Sequence, residues 1–397
     1  MKTEPFTLDL GGLTTRPAQV WGGVRLVPLV REEPITDLRL RQELYGEEDG
    51  CGCGCGRVTV ECEKGRYTSF MPHGFVADWT RDGTPAAAYG TQLGTAAPES
   101  VPLARRPGKL AKRADRTRLR FLPLHLALEG YLALHFGGPT FAWQQWSERA
   151  LRHGLSPRGE ESYSGAHVRG LADALRAFEI HPGQCGVLLY VADAPAAAFV
   201  VPHPEDYRAL HRSLLLDLYG ELVYHYALLS APVPDFRAEL GGATVRSLAE
   251  LRAAVDRQER AWGEFHDSTM ADGLLGATYR GRTVRRMDRF TLSRFLPEFR
   301  PRQENHIGEA ITDEQGRIAY LKTFRLSESQ TRRGHLLDTL ASHDWHLPRA
   351  ATALGLTEHQ LGLRLESAGF GALLQQHVLD LYRSRDRDRD RNRDQAR

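Results

Sequence analysis

The stretch Trp345-His-Leu-Pro-Arg-Ala-Ala-Thr-Ala-Leu-Gly-Leu-Thr-Glu-His-Gln-Leu-Gly-Leu-Arg-Leu-Glu-Ser-Ala-Gly-Phe370 constrains the chain most, because its punctuation fits two short helices joined by a tight turn. Pro348 suits the first position of a helix, where its missing N–H has no intrahelical partner and its φ is already helical. Ala350, Ala351 and Leu354 then line one face. Gly355 supplies the positive φ of a sharp turn, and Thr357 can accept from the N–H groups of a second helix striped with Leu361, Leu365 and Ala368. Gly369 ends that helix in a left-handed conformation. Upstream, Leu336, Leu337 and Leu340 give a preceding helix its apolar face, so three helices can close a small core.

This pattern resembles the Fis-type helix-turn-helix at the C-terminus of many bacterial regulators, across residues 328 to 375. The resemblance implies that the second helix enters the major groove with its first residues facing base edges. The candidates are Thr357, Glu358, His359 and Gln360, with Arg364 one turn on and Arg349 in the helix before. Charge pulls the other way. Residues 331 to 382 hold four Arg (Arg332, Arg333, Arg349, Arg364) against five acids (Asp338, Asp344, Glu358, Glu366, Asp380), a formal −1. Phosphate neutralisation supplies much of the affinity for DNA, so a DNA reader of this kind must borrow positive charge from elsewhere. The other use of such a unit is packing or dimerisation.

At 397 residues, two or three domains with a sizeable core are expected. The formal net charge of +2 says little about partners. The basic residues are nearly all Arg, which with abundant Ala and Gly suits a coding bias, so Arg counts are discounted. No apolar run is long enough to span a membrane and the N-terminus lacks an apolar signal region, so a cytoplasmic protein with no membrane partner is expected.

Cys51, Cys53 and Cys55 alternate with glycine, and Cys62 follows a short strand-like segment. Four thiolates so close together can hold a tetrahedral zinc, soft sulfur suiting that ion. Their spacing is tighter than structural zinc sites favour, and the competing reading is a glycine loop at a hairpin tip with reduced thiols. Cys185, in an apolar strand, reads as a buried structural thiol.

Two stretches concentrate positive charge. Residues 105 to 120 carry eight basic residues and one acid, residues 280 to 302 eight Arg and two acids. The first can track a phosphate backbone or stand as a solvated loop. The second includes Phe290, Phe295 and Phe299, whose spacing points to packing, and it is the first candidate for the charge the helix-turn-helix lacks. The alternating Arg and Asp of residues 383 to 397 lack apolar residues and read as disordered.

Residues 20 to 30, 57 to 61 and 66 to 70 read as strands, and 80 to 108 as a long loop. Val187 to Ala192 and Ala196 to Val201 form a buried hairpin about Asp193-Ala-Pro195. Pro204 opens a long helix carrying Tyr207, Leu210, Leu214, Leu218 and Leu222, closing near Pro232. Ser247 and Glu250 form a capping box for a helix running to Phe265. Strands and helices without regular β-α-β alternation indicate an α+β fold: a large mixed domain with antiparallel hairpins and packed helices, then the three-helix unit. The expected divisions are 1–235, a helical and Arg-rich extension over 236–327 that can belong to the same domain, 328–382 and the tail 383–397.

Val20 to Leu29, Leu122 to Pro139, Gly154 to Arg158 and Pro182 to Leu229 together are similar to the bacterial domain family associated with ADP-ribosylglycohydrolases and rhodanese-phosphatases. The resemblance implies a link to ADP-ribose or NAD metabolism and a nucleotide-derived small molecule as partner, but carries over no active-site residue. Dinucleotide, P-loop, hydrolase-elbow and zincin motifs are all missing from the sequence, so catalytic residues stay unassigned. His266-Asp-Ser-Thr269 and His343-Asp-Trp-His346 bring titratable groups together, but sixteen histidines make such pairs common by chance. The expected function is a DNA-associated, homo-oligomeric regulator with an N-terminal ligand- or partner-sensing domain. The alternatives are an accessory protein or enzyme of an ADP-ribose-linked system, or an assembly protein.

Overall fold

Val24–Val30 and Gln184–Val191 are nearly continuous apolar runs, which marks strands covered on both faces, and both are buried along their whole length. The computed structural model describes residues 4–40, 178–234 and 245–375, with 135–136, 378, 380–382 and six strands between 58 and 102. In chain order the strands are β1 (Glu4–Thr7), β2 (Thr14–Thr15), β3 (Gln19–Trp21), β4 (Val24–Val30), β5 (Leu38–Leu40), β6 (Val58–Cys62), β7 (Gly65–Ser69), β8 (Val76–Trp79) and β9 (Pro85–Ala88). They continue with β10 (Thr91–Leu93), β11 (Val101–Pro102), β12 (Gln184–Val191), β13 (Ala194–Val200), β14 (Thr278–Met287), β15 (Phe290–Leu296), β16 (His306–Thr312) and β17 (Ile318–Arg325).

One ten-stranded antiparallel sheet dominates, ordered β1-β14-β15-β16-β17-β13-β12-β4-β2, with β3 also on β4. Two smaller sheets run β10-β7-β6-β5 and β11-β9-β8. Strands β9, β10 and β11 lie in residues 80 to 108, where a loop is expected from sequence. Their short Ala- and Thr-containing segments carry no alternation; β9 pairs with the neighbouring β8 and with β11, and β10 with the more distant β7.

The hairpin β12–β13 turns at Ala192 and Asp193, one residue earlier than expected, with Ala192 at a φ of 53°. Pro195 thereby enters β13 opposite Tyr190, beside an irregularity of register that accommodates a residue without an N–H.

Seven α-helices are described: α1 (Pro204–Ser213), α2 (Gly220–Leu228), α3 (Leu248–Phe265), α4 (Asp272–Leu275), α5 (Glu328–Ser342), α6 (Leu347–Ala353) and α7 (Glu358–Leu365). The long helix expected from Pro204 is broken by a π-turn at Leu214–Leu218. Tyr207, Leu210, Leu214 and Leu222 nevertheless join one apolar layer. The Ser247–Glu250 capping box of α3 forms as expected.

Alternate residues of the sheet feed two apolar layers. Leu26, Leu189, Phe199, Leu292, Ile307 and Phe324 join α1, α2 and helices α5 to α7 on one face. Leu29, Leu188, Ala198, Phe295, Ala310 and Leu321 meet Trp262 of α3 and Leu274 of α4 on the other. The fold is therefore α+β, a broad antiparallel sheet with helices on both faces. Among the described residues no helix is long and apolar enough to cross a membrane.

Candidate nucleic-acid interface and a buried polar network

Each helix of the C-terminal three is set by its own cap. Ser327 and Gln330 form a capping box at α5, and Thr357 and Gln360 another at α7. Thr357 Oγ1 accepts from Gln360 N at 3.2 Å, while Gln360 Oε1 accepts from Thr357 N at 3.0 Å. Pro348 stands in the first turn of α6, Gly355 has a φ of +65° and Gly369 one of +87°. The α5–α6 turn carries no sequence signal, since Asp344 and Trp345 take positive φ without being glycine.

Of the nominated residues, Arg349 and Arg364 are exposed on α6 and α7. The side chains of Thr357 and Gln360 are engaged in the cap. Tyr382, absent from the sequence-based candidates, holds two more. His359 Nε2 donates to the Tyr382 carbonyl at 2.6 Å, and the Tyr382 phenol donates to Glu358 at 2.9 Å. Cys51, Cys53 and Cys55 lie outside the described residues, and Cys62 is described only as the end of β6. Among the described residues no group of three or more His, Cys, Asp or Glu could hold a metal ion. Cys185 is fully buried, and burial pushes its thiol up to about 11.

The Arg-rich stretch forms most of β14 and β15. Phe290 and Phe295 face opposite layers of the core, and Phe299 is buried after β15. Strand β1 pairs with β14 only at Thr278–Gly281. Beyond that, Arg282, Arg285 and Arg286 are exposed. Arg280 anchors the strand's other end, donating to Asp338 of α5 at 3.0 Å.

Two polar networks lie inside. Cross-strand register aligns Arg282, Arg294, Glu309 and Lys322 on one face. Glu309 is fully buried, 2.8 Å from Arg294 and 3.2 Å from the equally buried Lys322. On the opposite face, His266 is buried in the π-turn after α3, between Tyr190 and Asp267. Its Nδ1 stands 2.6 Å from Asp267 Oδ1 and its Nε2 2.7 Å from the Tyr190 hydroxyl. A carboxylate can only accept, so Nδ1 carries the proton and Nε2 accepts from Tyr190. Burial, then the Asp267 and Glu304 charges, raise the Tyr190 phenol well above its ordinary value. The His266-Asp267 adjacency is legible in sequence, whereas Tyr190 joins it only through the sheet. His343 and His346 make local contacts instead, with the Thr339 carbonyl and the Arg349 N–H.

A family model described as ARPP-2 matches residues 8–288. The chain belongs to the ARPP-2 family. The ARPP-2 match ends just after β14, so β15 to β17, half of the candidate interface and all three C-terminal helices lie beyond it. No curated protein and no solved structure matches the chain.

Proposed function

We propose that this chain is a DNA-associated regulator in which α5, α6 and α7 act as a Fis-type helix-turn-helix and the large sheet domain senses a ligand or a partner. The observation that carries the proposal is the Arg280–Asp338 ion pair. It fastens β14 to α5, so the exposed Arg282, Arg285 and Arg286 belong to the same body as the three helices. Those arginines supply phosphate contacts that the helices, at a formal −1, lack. Arg364 and Arg349 are the candidates for groove contacts, and a homo-oligomer would read paired half-sites.

The test is a salt series of duplex binding. Arg282, Arg285 and Arg286 changed together to Ala should weaken binding evenly across sequences and lower the salt slope by about 3, one unit per phosphate contact. Arg364→Ala should instead relax sequence preference. Wild-type protein with no salt-dependent binding to duplex DNA would end the proposal.

A second reading, an enzyme or accessory protein of an ADP-ribose-linked system, draws support from the Tyr190–His266–Asp267 chain. Asp267 fixes the imidazole tautomer, leaving Nε2 to accept the Tyr190 hydrogen bond. Saturable heat on titration with ADP-ribose, lost in His266→Ala, would favour it.

A further inference from the structure

We infer that the hollow where β1 meets β14 and β15 is the ligand site of the sheet domain, and that its ligand is a monosaccharide phosphate. The inference rests on the sensing role proposed above and names the ligand class. The hollow has a volume of about 140 Å³. A cavity of about 150 Å³ admits one six-membered ring. The hollow exists because three small residues meet there. Gly281 and Thr283 of β14 and Ser293 of β15 share one face of the sheet, beside the larger Tyr279 and Phe295. Phe6, stacked on Phe295 at 5.1 Å between centroids, walls one side with Pro5, and the exposed Glu4 stands at the rim.

Ser293 is 8 % exposed, and among the described residues its hydroxyl has no hydrogen-bond partner. A buried hydroxyl left without a partner is costly, so one that faces a hollow is satisfied by what fills it. Thr283 adds a second hydroxyl and Glu4 a carboxylate acceptor, while Phe6 and Pro5 offer carbon surface. Such walls suit a ring with hydroxyls on its edge and C–H groups on its face. Arg286 supplies the charge. It is exposed, and its register partner Thr291 lies two residues from Ser293, so Arg286 and the hollow share one face. The forked donors of Arg match a phosphate, whereas the Glu4 carboxylate repels a bare anion from the hollow itself. The ring therefore takes the hollow and the phosphate takes Arg286. Because Arg286 also belongs to the patch proposed to meet DNA phosphates, ligand and duplex should compete.

The experiment is calorimetric titration of the full chain with ribose 5-phosphate and glucose 6-phosphate, alongside ribose, glucose and inorganic phosphate. One sugar phosphate should give saturable heat, about tenfold or more tighter than its sugar or phosphate alone. Thr283→Val combined with Ser293→Ala removes both hydroxyls and breaks no described hydrogen bond, so the strands stay folded, which thermal unfolding checks. That variant should weaken sugar-phosphate binding about tenfold or more, and Arg286→Ala should lower it to the affinity of the sugar. Inorganic phosphate binding as tightly as either sugar phosphate would overturn the ligand class. No saturable heat with either sugar phosphate, or heat unchanged in the folded variants, would overturn the site. Duplex binding by the same protein separates this from the function. Sugar-phosphate binding by a chain that ignores duplex DNA would uphold the site and end the regulator reading, while duplex binding with no heat from either sugar phosphate would end the site and leave that reading standing.

Discussion

Phe299 lies so close to the α-carbon of Gly334 that a β-carbon there would overlap its ring. Phe299 is 1 % exposed and holds a left-handed φ of 52°, a conformation that costs a non-glycine residue about 1–3 kcal/mol. The ring also meets Phe136 at 5.8 Å and lies 6.0 Å from the Arg280 guanidinium. A strained aromatic just after β15 is thus the point on which α5 rests.

Gly334→Ala tests that seat. In an isolated helix the change would be favourable by about 1 kcal/mol. Here overpacking against Phe299 should outweigh it, for a net loss of about 1–3 kcal/mol in urea unfolding. A variant as stable as wild type would mean that α5 does not rest on the ring.

Glu309 separates two cations in the core. Glu309→Gln should cost about 3–5 kcal/mol, since it leaves Lys322 and Arg294 buried without the charge between them. Adding Lys322→Met to Glu309→Gln should recover part of that loss. Additive costs in the double variant would contradict the coupling of Glu309 and Lys322.

Tyr190→Phe removes the donor to a fully buried imidazole nitrogen. The expected cost is about 1–3 kcal/mol. With His266→Phe already present, the same Tyr190 change should cost much less, and a double-mutant cycle with no coupling energy would count against the hydrogen bond.

Acid should destabilise the fold through its buried histidines. Burial lowers His211 from 6.5 to about 4 and His135, also near Arg294, to about 3. Between those values and 6.5 the unfolded chain binds more protons than the folded one, so stability rises with pH across this window and is lost as pH falls below 6.5. From pH 7 to pH 5 each should cost about 1–2 kcal/mol. A thermal midpoint that stays level across this range, or a His211→Gln variant with an undiminished slope, would disprove it.

The local devices were legible in the sequence. Ser247 with Glu250, Thr357 at a helix start, Gly355 and Gly369 past helix ends, and the nearly continuous apolar runs of β4 and β12 each act through backbone neighbours a few positions away. Their physical causes, a capped N–H, an allowed positive φ, a strand hidden on both faces, are contained in short segments of chain. The α+β class followed from their mixture.

What only the tertiary structure decided is long-range. Nothing in residues 278 to 325 announces a sheet that runs from β1 to β2 across nine strands, with β3 added on β4, because antiparallel register between distant segments depends on partners that composition does not specify. The same holds for the site. Arg280 meets Asp338 across 58 positions and Tyr382 meets Glu358 across 24, so neither pairing leaves a periodic trace. The helical spacing nominated Glu358 and His359, but packing decided that Tyr382 would sit on them, with its ring in the gap left by Gly362.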